Sequence, residues 1–290
     1  MKMRSLLFVP ADSGKKLDKA RGSAADVLIV DLEDSVVEQR KAFGRELAAE
    51  FLRQPASSPR SRVFVRVNPL GGPHCMNDLA AVVGEGLDGV VLPKADGIED
   101  VIRLGHCLDA LEARAGLAHG AVRILVVATE TAAAMLGIGG YRRGHPRRAG
   151  RTWGAEELSA VRGAASNREA DGELSHAYLM ARSMCLVGAA AAGVAPIDTL
   201  YADFRDEEGL ARDCAASRRR GFAGRIAIHP AQVDIINRCF SPSDEDLAQA
   251  REVVAAFAAQ PDAGTVGIGG RMYDRPHLVQ ALRTLAAAAA

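Results

Sequence analysis

Short apolar runs alternate with longer amphipathic stretches from one end of the chain to the other. The apolar runs fall at residues 6–9, 27–30, 63–67, 89–92, 123–127, 151–153, 197–200 and 225–228, the sixth being the weakest. Runs this short, apolar on both faces and separated by helical patterns, predict a parallel sheet covered by helices. The intervening patterns predict helices near 13–21, 36–52, 98–115, 175–193 and 207–220, with Pro55 as the stop of the second. Eight such units in roughly 230 residues suit an α/β fold of the closed (β/α)8 TIM barrel type. An open doubly wound sheet is the alternative, but no Gly-x-Gly-x-x-Gly follows the first strand.

The chain divides on this reading into a barrel over 1–230 and a C-terminal extension over 231–290. The extension should hold a helix over 244–259 with Ser243 as its N-cap, a short β-like stretch around Gly267, Gly269 and Gly270, and a final helix from about Pro276 that frays over 286–290. The glycine-rich stretch reads equally as a lid hinge and as part of a packing arm.

Lys+Arg and Asp+Glu are both 36, so the formal net charge is zero. That argues against a nucleic-acid backbone or an anionic membrane as partner, since both call for surplus basic charge. The basic cluster Arg142, Arg143, His145, Arg147, Arg148 and Arg151 lacks interleaved aromatics, lies before the sixth strand, and reads as a solvated loop or subunit contact on the bottom face. Arg218-Arg219-Arg220 ends a helix, where positive charge suits the macrodipole. The apolar run at 6–9 is too short for a signal peptide, which needs ~7–15 apolar residues. The stretch 184–197 falls short of the ~20 residues of a membrane span and carries Pro196, so it reads as a buried helix running into a strand. Cys75, Cys107, Cys185, Cys214 and Cys239 form neither a disulfide framework nor a zinc pattern, and they suit ordinary thiols in a reducing cytoplasm.

In a parallel barrel the C-terminal strand ends build the active site. Strand two ends in Asp31-Leu32-Glu33-Asp34, strand three carries Arg66 and Asn68, and strand four ends in Pro93-Lys94. Strand five ends in Thr129-Glu130-Thr131, strand six runs into Gly154-Ala155-Glu156-Glu157, and strand eight reaches His229-Pro230. Any one carboxylate here also fits a helix first turn. Together, converging carboxylates cannot all stay ionised and unpaired, and a divalent cation resolves the conflict. Oxygen ligands without nearby His or Cys favour Mg²⁺ or Mn²⁺. His229 reads as a buried histidine that orders the Pro230 turn, with substrate contact as the other option.

The ordered set Arg4-Ser5-Leu6-Leu7-Phe8-Val9-Pro10, Asp31-Leu32-Glu33-Asp34-Ser35-Val36, Val65-Arg66-Val67-Asn68, Leu92-Pro93-Lys94, Glu130-Thr131-Ala132 and Gly154-Ala155-Glu156-Glu157-Leu158 resembles the citrate lyase β-subunit-like family, also called the HpcH/HpaI aldolase family. Ala227-Ile228-His229-Pro230 and Asp274-Arg275-Pro276-His277 extend the resemblance to nearly the whole chain. The resemblance implies a TIM barrel, a homo-oligomer (trimer or hexamer), Mg²⁺, and making or breaking a carbon–carbon bond in a short acyl-CoA with an α-oxo acid as the other partner, and the cysteine usage adds the expectation of a cytoplasmic location. It implies Glu130 and Glu157 as metal ligands and Arg66 as the clamp on a substrate carboxylate and developing oxyanion, with Glu33, Asp34 and Glu130 also around the substrate. Asp274 would be the catalytic acid or base, delivered onto a neighbouring subunit's barrel. A thioesterase on the same esters, or a non-catalytic CoA-ester-binding barrel or complex subunit, is the alternative. The chain departs from the family pattern in two places. Glu157 stands where Asp is usual, and Ala160-Val161-Arg162-Gly163 stands where an acidic residue and Leu usually precede the Gly. For CoA phosphates the nearest cations are Lys15, Lys16, Arg40 and Lys41, which otherwise read as exposed helix charges.

Overall fold

A computed structural model describes residues 1–54 and 61–289; Pro55, the expected helix stop, and Ala290 lie outside them. Eight parallel strands close into a barrel in sequence order: β1 Ser5–Pro10, β2 Val27–Asp31, β3 Arg62–Arg66, β4 Gly89–Leu92, β5 Arg123–Val127, β6 Arg148–Thr152, β7 Ala195–Asp198 and β8 Gly224–Ala227. Closure comes from β1 pairing with β8, Ser5 opposite Arg225 and Leu7 opposite Ala227. The expected TIM barrel is therefore the observed fold, with β6 beginning three residues and β7 two residues earlier than the apolar runs suggest. Leu6, Val27, Ile29, Phe64, Val91, Leu125, Ile197 and Ile226 pack into the barrel interior. Burying such side chains stabilises by roughly 1.5–3 kcal/mol each.

Several short helices escape the periodicity reading: Cys75–Val82, Ala132–Gly137, Ala155–Arg162 and Val233–Phe240. None exceeds eight residues, too few for a repeating apolar face to stand out. The helix His176–Ala192 does run on into β7, but Met180, Met184 and Val187 are exposed, so it is buried on one face only.

Three arginines of the basic cluster are not solvated, whereas Arg142 is exposed. Arg147, Arg148 and Arg151 are buried. Arg147 pairs with Glu112 and Asp109, Arg148 Nη1 donates to the Tyr141 carbonyl at 2.7 Å, and the Arg151 guanidinium lies 4.3 Å from the Tyr141 ring centre. β6 starts at Arg148, so two of these arginines are strand residues. Asp109, Glu112 and His119 gather as a metal-sized cluster, but Arg147 already supplies the positive charge there.

A second buried network ties the exit of β6 to β7, β8 and the helices outside them. Asp198 accepts the Trp153 indole N–H at 2.7 Å, the Ser217 hydroxyl at 2.6 Å and the Thr199 N–H at 3.0 Å, and it pairs with Arg182. Burial pushes the Asp198 carboxyl up, but Arg225, Arg182 and these donors outweigh it and hold it below the usual carboxylate range. Its stabilisation is thus present above the ordinary carboxylate pKa and is lost as pH falls through the lowered value. Trp153→Phe keeps the ring and deletes one donor to a charged acceptor. Its urea midpoint should fall by the equivalent of about 1.5–3 kcal/mol. An unchanged midpoint would mean the bond contributes nothing.

Contact density separates Met3–Asn237 from a unit made of Met1–Lys2 and Arg238–Ala290, a division inside the helix Val233–Phe240. In the second unit, helix Asp244–Ala259 begins with Ser243 and Asp246 capping each other reciprocally. The glycine-rich stretch is a hairpin of β9 Thr265–Ile268 and β10 Arg271–Asp274. Gly269 and Gly270, both at positive φ, form its two-residue turn. Helix Arg275–Ala289 follows, and Val253, Phe257, Val266 and Ala281 form the local core. Among the described residues no helix is long and apolar enough to cross a membrane.

Candidate active site

The barrel register puts Asp31 directly beside Arg66 at the exits of β2 and β3. Arg66 Nε and Nη2 each donate to Asp31 at 2.7 Å, a bidentate pair. Asp31 also accepts the Glu33 N–H at 3.0 Å and the Ser35 N–H at 3.2 Å, which shapes the turn after β2. Burial pushes the Asp31 carboxyl up, but Arg66 and these N–H groups reverse the direction and hold it below the ordinary range. The Arg66 guanidinium also lies over the Phe8 ring, 4.8 Å from its centre. Its fork is therefore already engaged, and only Nη1 faces onward, 3.0 Å from Glu33 Oε2.

Glu33 is 2% exposed and lies between two cations. Lys94 Nζ donates to its Oε1, while Arg66 faces its Oε2. Burial pushes its carboxyl up against the pull of both. Lys94 also reaches Asp34, at 3.0 and 3.1 Å, and its backbone N–H donates to Glu130 Oε2. Glu130, at the end of β5, is 2% exposed. Burial, with the charges of Glu157 and Glu33, pushes its carboxyl up to about 8, opposed by the Lys94 N–H and by Arg66.

Glu157 lies in the first turn of helix Ala155–Arg162, half-buried. Its side chain folds back over Gly154. A Cβ placed on Gly154 would lie 2.6 Å from Glu157 Oε2 and 3.0 Å from Glu130 Cγ. Gly154 thus leaves the room that the Glu157 carboxylate occupies beside the Glu130 side chain, room that an aspartate, shorter by one methylene, would not need. Gly154→Ala should displace Glu157 and, on the expectation that Glu157 is a metal ligand, weaken Mg²⁺ binding about tenfold. Gly154→Ala combined with Glu157→Asp should recover part of it, because the shorter side chain does not cross the new methyl, which still crowds Glu130 Cγ. Calorimetric titration with MgCl₂ reads both, and failure of the double variant to recover would remove this account of the glycine.

Asp31, Arg66, Glu33, Asp34, Lys94 and Glu130 therefore form one continuous chain of contacts across the exits of β2 to β5, and Glu157 lies beside its end across Gly154. Asp274 belongs to the second unit. It ends β10, is 40% exposed, and is bonded to the His277 ring, which holds its carboxyl below the ordinary range.

Sequence reasoning missed the support beneath this rim. Lys41 is not an exposed helix charge but a buried one, donating to the Leu32 and Glu33 carbonyls at 2.8 and 2.7 Å and to Asn68 Oδ1 at 2.8 Å. Asn68 in turn rests on Asp78, which pairs with Arg45. Only the Asn68 position, two residues past Arg66, hinted at this layer. Arg40 is bound to Asp12, and Lys15 and Lys16 are exposed as expected. His229 is partly exposed rather than buried. It does order the Pro230 turn, accepting the Ala231 N–H, and its ring stacks on Phe204.

The model of the family HpcH/HpaI aldolase/citrate lyase matches residues 4–230. A (3S)-malyl-CoA thioesterase of Cereibacter sphaeroides is 32% identical over 289 residues, 99% of this chain and 95% of that protein. A citrate lyase subunit beta of Haemophilus influenzae is 33% identical, covering 94% and 92%. Among solved structures, the protein CitE of Mycobacterium tuberculosis, in complex with magnesium, acetoacetate and coenzyme A, superposes with a TM-score of 0.80 at 33% identity, covering 100% of this chain and 99% of that one.

Proposed function

The chain belongs to the HpcH/HpaI aldolase/citrate lyase family, and on that premise we propose that it is a Mg²⁺-dependent carbon–carbon lyase. Its substrate would be a short 3-hydroxy-dicarboxylyl-CoA thioester such as malyl-CoA, methylmalyl-CoA or citramalyl-CoA. The observation that carries this reading is that Glu130 and Glu157 both border the space beside Gly154, with Glu130 one contact from Lys94 and Lys94 linked through Glu33 to Arg66. Two oxygen-only ligands at a rim with more carboxylates than cations suit a hard divalent ion, Mg²⁺ or Mn²⁺, with Glu130 and Glu157 as the side chains that would hold it. Such an ion supplies a Lewis acid for the oxygens of the α-oxo acid. The similar CitE structure is a complex with magnesium, which supports the choice of ion.

This chain's own residues would do the rest. Arg66, oriented by Asp31, offers Nη1 to the substrate carboxylate. On cleavage the C2–C3 bonding pair moves into the thioester, the C3 hydroxyl loses its proton and becomes the oxo group, and the enolate carbon is protonated. Ionised Asp274 is suited to take the C2 proton in the condensing direction and, once protonated, to return it in cleavage. Asp274→Asn should keep Mg²⁺ and oxo-acid binding yet lose deuterium exchange at the thioester α-carbon. Exchange at the wild-type rate would make Asp274 structural. A homo-oligomer in the cytoplasm, with neighbouring subunits completing each site, fits this assignment.

Thioester hydrolysis is the second reading, favoured by the relatives named (3S)-malyl-CoA thioesterase. A panel of the three thioesters with MgCl₂ separates the two. The lyase releases glyoxylate or pyruvate together with acetyl-CoA or propionyl-CoA. Free CoA thiol without an α-oxo acid would establish the hydrolase instead, and neither product from any thioester would overturn both.

A further inference from the structure

Lys94 is the only non-glycine residue with positive φ among the described residues, at 48°. The left-handed conformation costs a residue with a Cβ roughly 1–2 kcal/mol, and strain of this kind gathers at functional sites. The backbone alone does not account for a lysine here. Glycine would present the same N–H to Glu130 without that cost. What glycine would lack is the ammonium.

That ammonium is half-way into solvent, its side chain 34% exposed against 12% for Arg66. It is anchored from below by Glu33, which is 2% exposed, and touched from above by Asp34, whose side chain is 51% exposed. The two contacts differ in kind. Glu33 is buried and held by Arg66 as well. Asp34 is an exposed carboxylate on a partly exposed amine, a contact typically worth ~0–1 kcal/mol. A thioester oxygen can replace Asp34 at the rim, and once it becomes the enolate oxygen the exchange leaves the local charge unchanged, while Glu33 keeps the ammonium in place.

We propose that Lys94 is a substrate-binding residue, its ammonium receiving the thioester carbonyl oxygen of the acyl-CoA, with Asp34 occupying that position until substrate arrives. The inference rests on the lyase reading above. Arg66 cannot serve both ends of the substrate, because its fork is engaged by Asp31. The thioester oxygen gains negative charge as the enolate forms, so a fixed ammonium there stabilises the charge more than it stabilises the ground state.

The test compares two small acids by calorimetry. Pyruvate represents the oxo-acid half alone. Oxaloacetate adds a carboxylate where malyl-CoA carries its thioester carbonyl, and so mimics the charged oxygen. With MgCl₂ present, Lys94→Met should weaken oxaloacetate about 10- to 100-fold, the loss of one bond to a charged group. Pyruvate should shift less than about twofold, and Mg²⁺ affinity should hold, because the N–H of residue 94 remains. Lys94→Arg should recover part of the oxaloacetate affinity. Asp34→Ala should tighten oxaloacetate by up to about fivefold in the wild-type background and by nothing beside Lys94→Met. Equal weakening of both acids, or loss of Mg²⁺ binding, would make Lys94 a structural prop and overturn the proposal, as would no change in either acid. If the wild type binds no Mg²⁺, it is the metal-dependent reading that fails. The same titrations without metal then decide Lys94, on the preference for oxaloacetate over pyruvate.

Discussion

Glu130→Ala and Glu130→Gln are both expected to abolish Mg²⁺ binding and to lower turnover by on the order of 10³-fold or more, the several kcal/mol that a Lewis acid contributes. Glu130 is buried, at the end of β5, with Glu157 and Glu33 as neighbouring charges. Burial and these charges push its carboxyl up to about 8. The sign of the pH effect follows. A carboxyl with a folded pKa above its unfolded value stabilises the fold below the ordinary carboxylate range and loses that contribution as pH rises toward 8. A divalent cation favours the ionised form and opposes the loss. The rise in Tm on adding MgCl₂ should therefore grow between pH 6 and pH 8.5 in the wild type. Glu130→Gln removes the carboxylate while keeping its shape. Its metal-free Tm should hold better above pH 7 than the wild type's, and MgCl₂ should not raise it. Turnover by Glu130→Gln that is fast and insensitive to EDTA would sink the metal assignment.

Arg66→Lys should cost about 10²-fold in kcat/KM, the scale of a misplaced substrate-positioning group. The charge is kept, yet an ammonium cannot span both oxygens of Asp31 and also face Glu33 as the guanidinium does. Asp31 would lose half of its bidentate pair in a site where it is 1% exposed. The turn that carries Glu33 is bonded to the same carboxylate, so the damage should spread along the rim to Lys94. A double-mutant cycle with Asp31→Asn measures the coupling. Additive losses would show that Arg66 acts on substrate independently of Asp31.

Much of this protein was legible before any coordinates. The eight apolar runs determined a parallel sheet covered by helices, because strands buried on both faces belong to barrels and doubly wound sheets, and the count of eight units favoured the barrel, which sends every strand's C-terminal end to one face. Asp31, Arg66, Glu130 and Glu157 could thus be placed at one rim from their positions alone. What those residues touch was decided by tertiary structure. Asp31 engages Arg66 because β2 and β3 pair in that register, a relation between residues 35 apart that no local pattern encodes. Lys41 and Arg147 look like ordinary surface charges, and they are buried because distant carbonyls and carboxylates close around them. Lys94 adopts a left-handed backbone that its residue type does not announce. Apolar periodicity is written along the chain, whereas the partner of a buried charge depends on strand register and on loops that meet only once the barrel has closed.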